Sequence, residues 1–251
     1  MTQFGGYSSV VAAPAIQFFR MPAEMTYQVA ATIPVSYFTA YLTIVRQCNL
    51  QPDERILIHN AGGGVGVAAI QLATQIGAQV FGTASSWKHD RLRELGADQL
   101  VDYRKTDWVA EINRLTGGPA MHVVIDPVGG RNLKRDFEVM APLARLAAFG
   151  FSEPVRSGDR GLLPTLRSLY GMPRFKMTTL FAHNWSVSGL NMARLWTEFD
   201  RLRTIGPEVI AAWEQGFVKP EIAAVFPFDK ASDAHRMLDE RRNLGKVLLL
   251  P

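Results

Sequence analysis

The sequence predicts an α/β protein built on a doubly wound parallel sheet, and three observations carry that prediction. Short apolar runs alternate with helical patterns from Arg55 onward. A glycine-rich segment, Ala61 to Gly66, stands where the first run must hand over to a helix, and the alternation then repeats in a second half.

Taken in order, Ile56-Leu57-Ile58 reads as the first strand and about Val65 to Ile76 as its helix. Gln79 to Thr83 and the pattern through Arg91 to Leu95 form the next unit, with Gly77 and Gly96 as C-terminal helix breakers. Gln99 to Tyr103 is a third strand. The second half offers a helix over about Asp107 to Leu115, a strand at His122 to Asp126, a further helix, a strand ending at Ala147-Ala148-Phe149-Gly150, and a sixth strand at Ser186 to Leu190. Six such strands give the order 3-2-1-4-5-6 of a Rossmann sheet, with ligands at its carboxyl edge.

Three segments lie outside this rhythm. Val29 to Val45 is apolar but broken by Thr32, Pro34, Ser36, Thr39 and Thr43, which suits a buried helix better than a bilayer span. Residues 151–184 read as an insertion in which Arg156, Arg160, Arg167, Arg174 and Lys176 intersperse with leucines. The same letters suit a solvated flap over the crevice or a weak membrane-surface or partner contact. In the tail, Ile222 to Phe228 and Gly245 to Leu250 read as strands without an evident partner in the Rossmann unit. A helix over about Pro207 to Gln215 precedes them, and a short one through Ala231 to Glu240 lies between them.

A chain of 251 residues that is 47% hydrophobic and 20% charged can bury a full core, which excludes a disordered or fibrous class. Twenty-seven Lys plus Arg against 23 Asp plus Glu leave +4, too small an excess for nucleic acid but compatible with an anionic small molecule. The single cysteine, Cys48, excludes an internal disulfide, and no Cys or His pair stands at metal-ligand spacing. A reducing, cytoplasmic setting without a bound metal is the expectation.

Ala61-x-Gly63-x-x-Gly66 is the dinucleotide fingerprint with Ala in the first glycine position. Gly63 lets a pyrophosphate approach the backbone, Gly66 lets the helix lie close to the strand, and the helix N-terminus, with Gly64 and Val65, offers free N–H groups to the anion. Ala61 is tolerable if the turn needs no positive φ there. After the second strand stand Ala84-Ser85-Ser86-Trp87-Lys88 instead of the carboxylate that grips an NAD ribose, so hydroxyls and a cation suit the 2'-phosphate of NADPH. A helix start capped by Ser85 or Ser86 explains the same letters.

Phe4-Gly5-Gly6-Tyr7, Ile33 to Tyr41, Gly63 to Leu72, Gly82 to Ser86, Asp126-Pro127-Val128-Gly129-Gly130 and Gly245 to Leu249 together resemble the zinc-free medium-chain dehydrogenase/reductase superfamily. The likeness is to its quinone oxidoreductase and synaptic vesicle amine transport protein-like branch. The resemblance implies that Thr39 approaches the nicotinamide, Val65 supports it, and Gly150 borders its pocket. It implies that Lys88 and Tyr103, with Arg241 as a third, hold the adenosine 2'-phosphate. It further implies a homodimer paired through the sixth strand, and remnants of a GroES-like β-barrel at residues 1–38 and 217–251 flanking a Rossmann domain at 39–216. On that expectation the chain is N-terminally truncated and exposes apolar surface and sheet edges.

Three functions follow as expectations: NADPH-dependent hydride transfer to a quinone or α,β-unsaturated carbonyl, a non-catalytic NADPH-binding membrane-peripheral module, or an inactive truncated form. No catalytic acid emerges. Tyr37 and Tyr41 lie in the cleft motif, but core packing explains them better, and the isolated histidines His59, His89, His122, His183 and His235 read as strand or surface residues.

Overall fold

The computed structural model describes residues 5–150, 175–195 and 198–251. Six parallel strands form one sheet: β1 (Arg55–Ile58), β2 (Gln79–Thr83), β3 (Gln99–Val101), β4 (Met121–Asp126), β5 (Met140–Ala148) and β6 (Ser186–Gly189). Their order is β3-β2-β1-β4-β5-β6, the doubly wound order expected from the alternation.

The helices between them are α2 (Gly64–Ile76), α3 (His89–Glu94), α4 (Trp108–Thr116) and α5 (Gly130–Arg135), with α6 (Met177–His183) before β6. Ahead of the sheet runs α1 (Tyr27–Tyr41), and after it come α7 (Phe199–Leu202) and α8 (Ile205–Glu214). Of the segment read as an insertion, 151–174 lies outside the described residues, so neither the flap nor the membrane-contact reading is addressed there.

Side-chain alternation on the strands builds two cores. Ile56, Ile58, Val80, Val123, Ile125 and Ala147 face α1 and α2, while Leu57, Phe81, Val124 and Leu146 face Trp108, Ile112 and Leu133. Ile56, Leu57 and Ile58 of β1 are fully buried, as a central parallel strand requires on both faces, which is why they form a continuous apolar run. Gly77 stops α2 at φ +90°, and Gly96 follows α3 at φ +112°.

The Val29–Val45 segment is helical as expected. Together with a π-helical turn over Leu42–Gln47, α1 forms a helix long and apolar enough to cross a membrane by length and composition. Its inner face, with Ile33, Tyr37, Phe38 and Ile44, belongs to the same core as α2 and α8. Arg145 ties β5 to the end of this segment through Cys48 O (2.7 Å) and Glu54 (2.7 and 2.5 Å).

One expectation needs correcting. The two tail strands, β7 (Ile222–Pro227) and β8 (Lys246–Leu250), have no partner in the six-stranded sheet, yet they are not unpaired. They pair with each other in parallel across α9 (Ala231–Asp239). This small βαβ unit is anchored to the glycine loop by Gly245 N donating to Gly62 O (2.9 Å) and by a parallel bridge between Gly63 and Gly245. The third strand is also shorter than expected: Asp102 and Tyr103 leave it to build the site.

Candidate functional site

The carboxyl ends of β1, β2 and β4 converge at the point where the strand order reverses, with the N-terminus of α2 above them. The chain turns out of β1 at Asn60, which takes the left-handed conformation (φ +52°), and Gly63 N closes the turn on Asn60 O (2.9 Å). Asn tolerates this conformation, so Ala61 is spared it, and this explains the departure from glycine.

Three of the four glycines in the fingerprint region show how closely it is confined, each for a different reason. A Cβ on Gly66 would lie 2.5 Å from the carbonyl oxygens of both Asn60 and Ala61, on Gly62 it would meet Lys88 Cδ at 2.5 Å, and on Gly64 it would meet Ser36 Oγ at 2.8 Å. Two concavities open on either side of this helix start.

The first, of about 270 Å³, is lined by Gly63, Gly64, Thr83, Lys88, Tyr103 and Arg241 among others. Lys88 is buried, and its amine lies 5.0 Å from the Trp87 ring centroid. Desolvation chiefly, with Arg104 and Arg241 adding like charge, pulls its pKa down to about 8 against the opposing influence of Tyr103. Arg241 Nη1 donates to the Tyr103 hydroxyl (3.1 Å) and the Arg104 guanidinium lies 5.9 Å from the Tyr103 ring centroid. Burial raises the Tyr103 pKa, but the Arg241 hydrogen bond and charge outweigh it and leave the hydroxyl below its usual range, with Ser85 hydrogen-bonded to it as well. Ser85, Lys88, Tyr103 and Arg241 therefore converge from three separate parts of the chain.

Ser86, grouped by the sequence with the phosphate-selecting residues, turns to Asp102 in this structure. Its hydroxyl and backbone N–H both donate to Asp102 Oδ2 (2.6 and 2.8 Å), and Arg104 N donates to Oδ1 (2.9 Å). Burial alone would raise the Asp102 pKa, yet these donors hold it below the ordinary carboxylate range. A carboxylate thus stands beside this cleft, supplied by the end of β3 and not of β2. Ala61 and Gly66 are both buried and shape the turn without lining either concavity.

The second concavity, of about 800 Å³, is lined by Thr39, Val65 and Gly150, the three residues assigned to the nicotinamide side, together with Leu133, Phe149 and Leu190. Among the described residues that line it, none carries an ionisable side chain. The tyrosines of α1 do not reach it. Tyr37 donates to Gln71 Oε1 (2.8 Å), Tyr41 donates to Glu208, and burial chiefly pushes both hydroxyls up, Tyr41 to about 12. Gln71 in turn receives Lys219 N (2.9 Å) and donates to Lys219 O (2.7 Å). Tyr37→Phe is therefore expected to cost about 1 kcal/mol in urea denaturation, and to leave any turnover of the chain unchanged.

Beneath the first concavity lies a cluster that sequence reasoning missed. His59, read as a strand or surface residue, is 2% exposed at the end of β1. Its ring bonds Thr83 Oγ1 (3.0 Å) and Asp136 Oδ1 (2.8 Å) and meets Trp108 edge-on at 4.6 Å. Asp126, at the end of β4, receives Gly129 N (3.1 Å), Val128 N and Asn132 Nδ2 (3.3 Å). The Asp-Pro-Val-Gly-Gly motif is thereby a turn capped by its own aspartate. A histidine and an aspartate ending adjacent central strands were the available signal.

Asp136 Oδ2 meets no N–H or O–H donor among the described residues, and the Asp126 carboxyl lies close enough to influence its charge. Burial raises both pKa values, and the charge of Asp136 raises that of Asp126 further. The folded state holds protons that the unfolded chain gives up near 3.8, so stability present below that value is lost as pH rises through the raised range. Asp136→Asn still accepts from His59 and gives Asp126 an N–H donor. It is expected to flatten the decline in urea midpoint between about pH 4 and 8, whereas Asp136→Ala costs about 3 kcal/mol.

Fold, switch-point loop and paired concavities define the dinucleotide-binding half of a medium-chain dehydrogenase/reductase. The zinc-binding dehydrogenase family model matches residues 64–205, and the chain belongs to that family, in the quinone oxidoreductase and VAT-1-like branch of the superfamily. It is similar to the human synaptic vesicle membrane protein VAT-1 homolog, at 33% identity over 252 residues; the match takes in the whole of this chain and 64% of that relative's length. Among solved structures it resembles the Escherichia coli quinone oxidoreductase complexed with NADPH (27% identity, TM-score 0.82, 98% of this chain and 72% of that one). It also resembles an NAD-dependent alcohol dehydrogenase (32% identity, TM-score 0.79, 98% and 66%). Among the described residues no group of three or more His, Cys, Asp or Glu side chains could hold a metal ion.

Proposed function

We propose that this chain holds NADPH across the N-terminus of α2 and serves an oxidoreductase that reduces a quinone or an α,β-unsaturated carbonyl. The observation that carries the reading is Lys88: a buried amine without a carboxylate partner among the described residues, flanked by Tyr103, Arg104 and Arg241, suits a 2'-phosphate dianion. The glycine loop leaves no room for side chains where a pyrophosphate must approach, and the first N–H groups of α2 are oriented for an anion.

When bound, the dinucleotide supplies a hydride. The chain's residues do the rest. Thr39, Val65 and Gly150 form one wall for a planar ring, while Phe149, Leu133 and Leu190 exclude water from an apolar substrate. With no ionisable side chain among the described lining, the proton that completes reduction comes from solvent, which suits a quinone, whose reduced anion is stable enough to wait for it. The test is oxidation of NADPH by an aromatic quinone, followed at the reduced nicotinamide's absorbance. Turnover above blank with NADPH, and weaker turnover with NADH, is expected. No turnover, even with a family-type barrel domain supplied, would sink the reading.

A further inference from the structure

Lys88 differs from the exposed lysines of the described residues. It is 5% exposed, and among the described residues its amine makes no hydrogen bond or ion pair. It lies instead over Gly62, where a built Cβ would come within 3.2 Å of Nζ, and beside the Trp87 ring at 5.0 Å. Arg241 lines the same cleft and bonds Tyr103, Arg104 stands over the Tyr103 ring, and the neighbouring carboxylate, Asp102, is occupied by Ser86 and the Arg104 backbone. A desolvated amine among like charges gives up its proton readily and is the ordinary setting of a nucleophilic lysine.

We propose that Lys88 is an acylation site that takes small anionic acyl donors of the acyl phosphate class, drawn into the cleft by Arg104 and Arg241. The ammonium first loses a proton to solvent. The nitrogen lone pair then forms a bond to the acyl carbon, the bond from that carbon to the phosphate oxygen breaks, and inorganic phosphate leaves with the electron pair. The nitrogen releases its extra proton and a neutral amide remains, with nothing oxidised or reduced. The consequence rests on the NADPH reading: acylation removes the cation that selects the 2'-phosphate, and so turns a charge-selective site into an unselective one.

Lys105, Lys134 and Lys230 are exposed and serve as internal references. The intact chain is treated with acetyl phosphate over a range of pH, and peptides are quantified by mass spectrometry. Lys88 is expected to acetylate at least about tenfold faster than the references near neutral pH. Its rate should climb through about pH 8 and then level, while theirs keep rising. NADPH and its fragment 2',5'-ADP are expected to protect it. Equal rates at Lys88 and the references overturn the proposal and leave the cofactor reading untouched. Fast, selective acetylation that neither ligand slows supports the acylation site and overturns the cofactor reading.

Discussion

Lys88→Glu is expected to weaken NADPH binding by about 100-fold or more while changing NADH binding by no more than about threefold. The asymmetry follows from where the charge sits. Lys88 lies at the wall shared with Tyr103 and Arg241, and among the described residues its amine has no hydrogen-bond or ion-pair partner to lose, so the substitution removes a contact made to a ligand anion and adds repulsion against it. A hydroxyl in place of the 2'-phosphate meets neither penalty. Fluorescence titration of both dinucleotides against wild type and variant measures the two ratios. Equal weakening would show that Lys88 serves the fold and not the phosphate.

Gly66→Ala is the second large effect, and it acts on both stability and binding. The new Cβ would lie 2.5 Å from two backbone carbonyl oxygens, Asn60 O and Ala61 O, which no rotamer change relieves. The loop must lift away from α2, at a cost of roughly 1–3 kcal/mol in chemical denaturation. Dinucleotide affinity should fall at least about tenfold as the N–H groups and the turn lose their alignment. Gly62→Ala makes the informative contrast. There the obstructing atoms are the outer side chain of Lys88, which can swing aside, so stability is expected to hold while the preference for NADPH over NADH shrinks. If the two alanine variants proved equally destabilised, the loop would be looser than its geometry implies.

The strand order and the glycine loop were legible in the sequence because both are local. Burial on both faces makes β1, β2 and β4 apolar runs, helix ends demand Gly77 and Gly96, and the close approach of α2 to β1 demands Gly66; each constraint acts within a few residues. The allocation of Thr39, Val65 and Gly150 to one concavity and of Lys88, Tyr103 and Arg241 to the other came from family resemblance. The fold separates the same two groups.

What the sequence could not disclose are the partners brought together across it. His59 meets Asp136 at a separation of 77 residues, Ser86 meets Asp102 at 16, and Arg241 meets Tyr103 at 138. No periodicity encodes such pairs. Hence His59 passed for an ordinary strand residue, and the Ser86–Asp102 contact and the pairing of β7 with β8 went unread. By itself the sequence determined a doubly wound sheet with an anion-ready helix start, since backbone sterics and hydrophobic alternation act locally. Only the tertiary structure decided which side chains remain unsatisfied. A polar group is left open to a ligand, like Lys88, or closed upon a neighbour, like Ser86, by what the fold brings within about 3 Å of it.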